Sequence, residues 1–182
     1  MKSKIFIAIL TVLMAHTGVA QNTVSDQPLL LNADYIELDF STGERLYRGN
    51  VILTQGDVIM ECDEMTTMYD DDDELLHALC IGDPGIFKKQ PQQNSQEALT
   101  GSAVNITYDR KNNQILLLNE AKLERGRIFV KGYQISHNLI TEKTIVQNDE
   151  QALGTSGSTG SSNSGVSSRP KVLILPKQNP DG

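Results

Sequence analysis

The chain has 182 residues, with 16 basic against 23 acidic side chains, 38% hydrophobic residues, 5% aromatic residues and no tryptophan. That length holds one modest domain with room for tails. A formal charge of −7 and a pI near 4.9 argue against a nucleic-acid binder, which needs a basic face to release phosphate counterions, and the composition is neither collagen-like, nor disordered throughout, nor that of a multi-span membrane protein.

Residues 1–20 read separately from the rest. Lys2 and Lys4 precede the apolar run Ile5 to Ala15, and Gly18-Val19-Ala20 sets small residues before a cleavage point, the pattern of a secretory signal peptide. The run is too short to cross a bilayer core of roughly 30 Å. Cleavage before Gln21 removes two lysines and no acid, which moves the charge from −7 to −9.

Residues 21–150 are expected to form the folded domain. From Leu29 to about Val146 short stretches alternate apolar and polar residues and are broken by Gly, Asn, Asp or Pro, with no 3.6-residue stripe, which predicts an all-β domain. Residues 151–168 are rich in Gly, Ser and Thr and read as a flexible linker. Residues 169–182 hold a β-prone run, Val172-Leu173-Ile174-Leu175 between Pro170 and Pro176, expected to form a C-terminal strand followed by a tail.

Sliding the sequence against itself exposes an internal repeat. Ala33, Ile36, Asp39, Leu46, Leu53 and Gly56 recur as Ala103, Ile106, Asp109, Leu116, Leu123 and Gly126, and the apolar alternation of Val51, Leu53, Val58, Met60, Cys62 and Met65 returns at Ala121, Leu123, Ile128, Val130, Gly132 and Ile135. In both copies the buried parity flips at the glycine and again at the small residue before Met65 or Ile135. Side chains alternate faces with period two, so each flip predicts a corner or bulge; Gly56 and Gly126 suit such corners, and Ala33, Cys62, Ala103 and Gly132 read as stacked corners. The expected architecture is a bent antiparallel sheet folded over itself, a β-jellyroll or taco-like trough with open edges. The parity tracks put on its inner face most of Leu31, Ile36, Leu38, Val51, Leu53, Val58, Met60, Ile106, Tyr108, Leu117, Leu123, Ile128, Val130 and Ile135.

Asp26-Gln27-Pro28, Ala33-Asp34, the run Tyr47-Arg48-Gly49-Asn50-Val51-Ile52-Leu53-Thr54-Gln55-Gly56, Cys62-Asp63, Gly82-Asp83-Pro84-Gly85-Ile86-Phe87, Tyr108-Asp109 and the terminal Val172 to Pro176 resemble the OstA-like superfamily of periplasmic lipopolysaccharide-export proteins, the LptA family. The resemblance covers about residues 26–146 plus the last strand. It departs from the usual pattern where cysteines replace small residues at 62 and 80, where Gly85 stands for a common alanine, and in the long Ser/Gly linker. What it implies is a Gram-negative periplasmic carrier that binds lipopolysaccharide and bridges inner-membrane-anchored and outer-membrane export proteins, joining copies of itself head to tail. The inner-face residues above, with Phe87 placed chiefly by the resemblance, are then expected to line an acyl-chain trough. An acidic protein gains little from charge on meeting an anionic glycolipid, so affinity must come from the chains, at about 0.8 kcal/mol per buried CH₂ before association costs. The alternative is an edge-pairing periplasmic scaffold with no lipid, whose inner face is an ordinary core.

Enzymatic function is not expected. Asp70-Asp71-Asp72-Asp73-Glu74 lacks the ligand spacing and mid-loop glycine of a calcium loop and reads as a solvated turn. Arg45, Arg48, Arg110, Lys111, Lys122, Arg125 and Arg127 read as ordinary exposed positions before they read as phosphate contacts. His77 and Cys80 have no orienting partner, and there is no Walker loop and no metal-spaced Cys/His cluster, so neither metal nor cofactor is expected. In an oxidising compartment Cys62 and Cys80 are candidates for a disulfide, against the alternative of two buried thiols acting as small apolar groups. For association, unpaired edges are expected at Leu29-Leu30-Leu31 and at Thr144-Ile145-Val146 or Lys171 to Leu175, with the last strand pairing in trans or with a partner in preference to folding back in cis.

Overall fold

The computed structural model describes residues 27–91, 97–148 and 169–176. The expected signal peptide and linker lie outside these residues, as does the first residue of the Asp26-Gln27-Pro28 motif. The alternating segments become ten strands: β1 (Leu29–Asn32), β2 (Tyr35–Leu38), β3 (Glu44–Gln55), β4 (Val58–Tyr69), β5 (Leu75–Lys89), β6 (Leu99–Asp109), β7 (Gln114–Arg125), β8 (Ile128–Asn138), β9 (Thr144–Gln147) and β10 (Lys171–Ile174). All join one antiparallel sheet in the order β1-β3-β4-β5-β6-β7-β8-β10, with β2 also on β3 and β9 also on β8.

Gly56 and Gly126 correct one expectation. They do not bend a continuous strand; each opens a two-residue hairpin loop, between the pairs Gln55–Val58 and Arg125–Ile128. Their φ angles are +58° and +54°, and glycine with positive φ at the first loop position suits the tight reversals whose twist matches that of the strands. The parity flip at these glycines is therefore the reversal of the chain itself.

The corners at small residues are present. Each long ladder loses register near its middle, between Arg48 and Val51, Glu61 and Glu64, Ile81 and Gly85, Ser102 and Asn105, and Leu118 and Ala121, and the β4–β5 ladder shifts a second time beside its turn, between Met68 and Tyr69. The middle breaks run from strand to strand and form a single crease across the sheet. Ala33 sits in the gap between β1 and β2, Cys62 and Ala103 fall within breaks, and Gly132 stands opposite Ala121 at the end of one. Pro84, which has no N–H to give a ladder, occupies the break in β5, where none is required. Bulges that coincide on neighbouring strands add their bends, so the sheet folds along the crease into two leaves.

The C-terminal strand corrects a second expectation. β10 pairs in cis, antiparallel to the first half of β8, with Lys171 opposite Lys131 and Ile174 opposite Ile128. β9 takes the second half of β8, from Gln134 to His137. The other end of the sheet is built the same way: β1 covers Ile52 to Gln55 of β3 and β2 covers Arg45 to Arg48.

Candidate functional site

The crease brings the inner faces of the two leaves together. Gly101 lies on one leaf, and a Cβ placed there would stand 2.9 and 3.2 Å from the Leu117 methyls, on the far side of the crease. Glycine is needed at 101 because the opposing leaf approaches the backbone this closely. Between the leaves Val51, Leu53, Val58, Met60, Phe87, Ile106, Tyr108, Leu117, Leu123, Val130 and Ile135 are buried in one apolar cluster, against which Leu31 packs half-buried.

Three residues expected inside are not. Ile36 and Leu38 are 47% and 44% exposed, and Ile128 is 41% exposed. Ile36 and Leu38 belong to β2, a terminal strand hydrogen-bonded only to β3, and all four of its residues are exposed. Ile128 begins β8 beside the hairpin loop and pairs with Ile174 of the outermost strand, itself 64% exposed. Inward parity buries a side chain only where an opposing leaf reaches over it. Conversely, Tyr47, Tyr69, Leu75, Ile115 and Leu139 belong to the core and were not anticipated, although the alternations Met65-Thr67-Tyr69 and Ile115-Leu117 carry the signal; Met65, on the buried track of the repeat, is in the core as well.

The interior is closed in its middle and opens at its margin. A cleft of about 750 Å³ lies between the end of β3 and the margin of the other leaf, lined by Gln27, Leu29, Gln55, Tyr69, Leu75 and Arg110, with Asp73 and Glu74 at its rim. The acidic run is the β4–β5 turn: the Asp70 carboxylate accepts from the backbone N–H groups of Asp72 and Glu74 at 3.0 and 2.9 Å. Asp73 and Glu74 bind Arg45 and Arg110 respectively. The Arg45 guanidinium also lies 3.6 Å from the centroid of the Tyr69 ring, a cation–π contact that holds the ring at the mouth. Among the buried side chains of the inner face, Gln55 Oε1, Thr67 Oγ1 and the Tyr108 hydroxyl have no hydrogen-bond partner within the protein. Burial raises the Tyr108 pKa, so this phenol stays protonated.

Elsewhere the margins are stitched. Lys89 Nζ donates to the Leu139 carbonyl at 3.1 Å and Arg125 pairs with Glu142 at 2.9 Å. His137, buried between them, has its Nδ1 2.9 Å from Thr144 Oγ1, and its pKa is lowered first by burial and then by Arg125 and Lys89. Arg48 pairs with Glu64, and Arg127 donates to the Leu175 carbonyl, so most of the noted arginines serve the fold. His77 is exposed and Cys80 buried on β5, on opposite faces, which separates the only thiol–imidazole pairing the spacing suggested. Cys62 and Cys80 are both thiols and lie together at the crease.

The family model described as LptA/(LptD N-terminal domain) LPS transport protein matches residues 30–143. The lipopolysaccharide export system protein LptH of Pseudomonas aeruginosa is 25% identical over 154 residues, covering 84% of this chain and 82% of LptH. A crystal structure of LptH, described as the LptA homologous periplasmic component of the lipopolysaccharide transport device of that organism, matches with a TM-score of 0.70 at 22% identity, over 84% of this chain and 99% of the other. A family match over more than half of the chain, on a creased sheet whose fold LptH shares, makes this protein a member of the LptA/(LptD N-terminal domain) LPS transport family.

Proposed function

We propose that the protein carries lipopolysaccharide through the periplasm and bridges inner-membrane and outer-membrane export components, with acyl chains held between its two leaves. The observation that carries this reading is the continuous apolar lining between two leaves that are joined at a crease, packed together in the middle and open at a marginal cleft. Lipid entry requires the leaves to part, because Leu53, Met60 and Phe87 have no exposed surface. The apolar chains then replace contacts between leaves with contacts to lipid, at little net loss of buried apolar area. The sugar-phosphate head stays outside, since the protein is acidic overall and the buried polar groups of the inner face, such as Gln55, Thr67 and Tyr108, are few among apolar ones.

Photocrosslinkers at Met60, Leu53 and Ile135 should capture labelled lipopolysaccharide while those at exposed Asp39 and Glu124 should not. Equal capture at both sets would overturn the reading. The close packing of the interior favours one other function, an edge-pairing scaffold with a filled core; absence of capture at every position, with self-association intact, selects it. Export of the chain fused to a reporter, followed by fractionation, tests the periplasmic location and the signal sequence together.

A further inference from the structure

β4 and β5 separate where the sheet creases. Their ladder pairs Glu61 with Ile86 and resumes with Glu64 opposite Ile81, so Cys62 and Asp63 stand against the Gly82 to Gly85 segment without regular partners. A residue freed from the ladder turns its side chain off the strict alternation of the strand. Cys80, paired with Met65 just past the break, reaches back toward it: its Sγ is 3.7 Å from the carbonyl oxygen of Glu61, the residue before Cys62. The same Sγ lies against the freed segment that faces Cys62: a Cβ placed at Gly85 would stand 3.2 Å from it. Cys80 is fully buried in the core, and Cys62 is half-buried and packed against the same cluster.

We propose that Cys62 and Cys80 form an intramolecular disulfide, a covalent clasp across the crease between β4 and β5. A disulfide spans a Cα separation of roughly 4.4–6.8 Å, and the two cysteines lie on adjacent strands at one register break, where the lapse of the ladder frees Cys62 to turn toward Cys80. The oxidant is a disulfide, either a small molecule such as oxidised glutathione or a dithiol–disulfide exchange protein. The half-exposed Cys62 thiolate attacks one sulfur of that disulfide, the S–S bond breaks, and one thiolate leaves. The Cys80 thiolate then attacks Cys62 Sγ in the mixed disulfide, the bond between Cys62 and the oxidant breaks, and a second thiolate leaves. Two protein thiols and one external disulfide become one protein disulfide and two external thiols, and the two protons pass to the leaving thiolates. The order follows from access: Cys80 is buried and its thiol is pushed up by the hydrogen bond with Cys62 and by desolvation, which makes it a poor first nucleophile but a well-placed second one.

The clasp joins the two halves of a hairpin where their backbone hydrogen bonds lapse. It closes the loop from 62 to 80, which contains the acidic turn and the Tyr69 and Leu75 side of the mouth, so that one wall of the cleft is tied while the opposite wall, Gln27 to Gln55, remains free. The inference does not depend on lipid binding.

The test is thiol counting on the mature full-length protein after equilibration with oxidised glutathione, by alkylation in denaturant and intact mass. The expected product has no alkylated thiol, is about 2 Da lighter than the reduced chain, and yields on digestion one peptide pair joining Cys62 to Cys80. Cys80→Ala, which keeps a small apolar side chain in the core, should trap a glutathione adduct on Cys62; Cys62→Ser should leave Cys80 unmodified until the protein is unfolded. Two alkylated thiols in the wild-type chain, a persistent glutathione adduct on it, or a disulfide-linked dimer would each overturn the proposal.

Discussion

Replacing Phe87 by alanine probes whether the space between the leaves is filled. Phe87 has no exposed surface, and its ladder neighbours are Met60 on β4 and Gly101 on β6. Gly101 has no side chain to move into the void, and the space over it is already taken by the buried Leu117 and Leu123. Phe→Ala in a packed core costs about 3–5 kcal/mol, and a site that cannot collapse belongs in the upper half of that range. At about 3–4 °C of melting temperature per kcal/mol for a domain of this size, the midpoint falls by roughly 12–20 °C. Urea unfolding followed by far-UV circular dichroism measures the loss directly, with an unchanged m-value if the denatured state is unaffected. Lys88→Ala is the control: it sits next in the same strand on the outer face, paired with Glu61 at 2.7 Å with both side chains about two-fifths exposed, and such a pair contributes at most about 1 kcal/mol. A loss at Phe87 below about 1 kcal/mol, no larger than at Lys88, refutes the packed interior and with it the requirement that the leaves part.

Gly101→Ala should cost about 1–3 kcal/mol by pushing on Leu117, and the double variant with Leu117→Val should recover part of it; no recovery in urea midpoints contradicts the contact between leaves. His137 has a folded-state pKa lowered from 6.5, so the unfolded chain binds that proton first and stability falls as pH drops below about 6.5. His137→Gln should flatten the stability profile between about pH 7 and 5, and an unchanged slope refutes the assignment. Lys122, Lys131 and Lys171 stand in one row across β7, β8 and β10, and like charges directly opposite each other repel. Lys131→Glu should therefore raise stability by about 0.5–1 kcal/mol at low salt, a gain lost near 1 M NaCl; a gain indifferent to salt would point to another cause.

The strands and the crease were legible because both are local. Alternation such as Val51-Leu53 and Val58-Met60 reports which face a side chain takes, and a flip at Cys62 or Gly132 reports a bulge, whatever the rest of the molecule does. What covers a face is not local. Ile36 and Leu38 carry the same alternation as Val51 and Leu53, and differ only in lying on a terminal strand beyond the reach of the opposite leaf. The glycine flips were ambiguous for a related reason: a reversed hairpin and a bent strand shift parity alike, and only the pairing of Gln55 with Val58 separates them. The partner of β10 was the least legible feature, since the alternation of Val172 to Leu175 suits any free edge alike.

Because β10 hangs from the same chain as the edge it covers, it re-forms there at a local concentration of order millimolar. A strand arriving from another molecule to take Ile128 to Lys131 must first compete with that tethered occupant, just as one arriving at Ile52 to Gln55 must displace β1. Strand exchange at the β8 end proceeds only while β10 is away, so its rate is set by the opening of four residue pairs rather than by encounter, and becomes independent of the incoming strand once that strand is in excess.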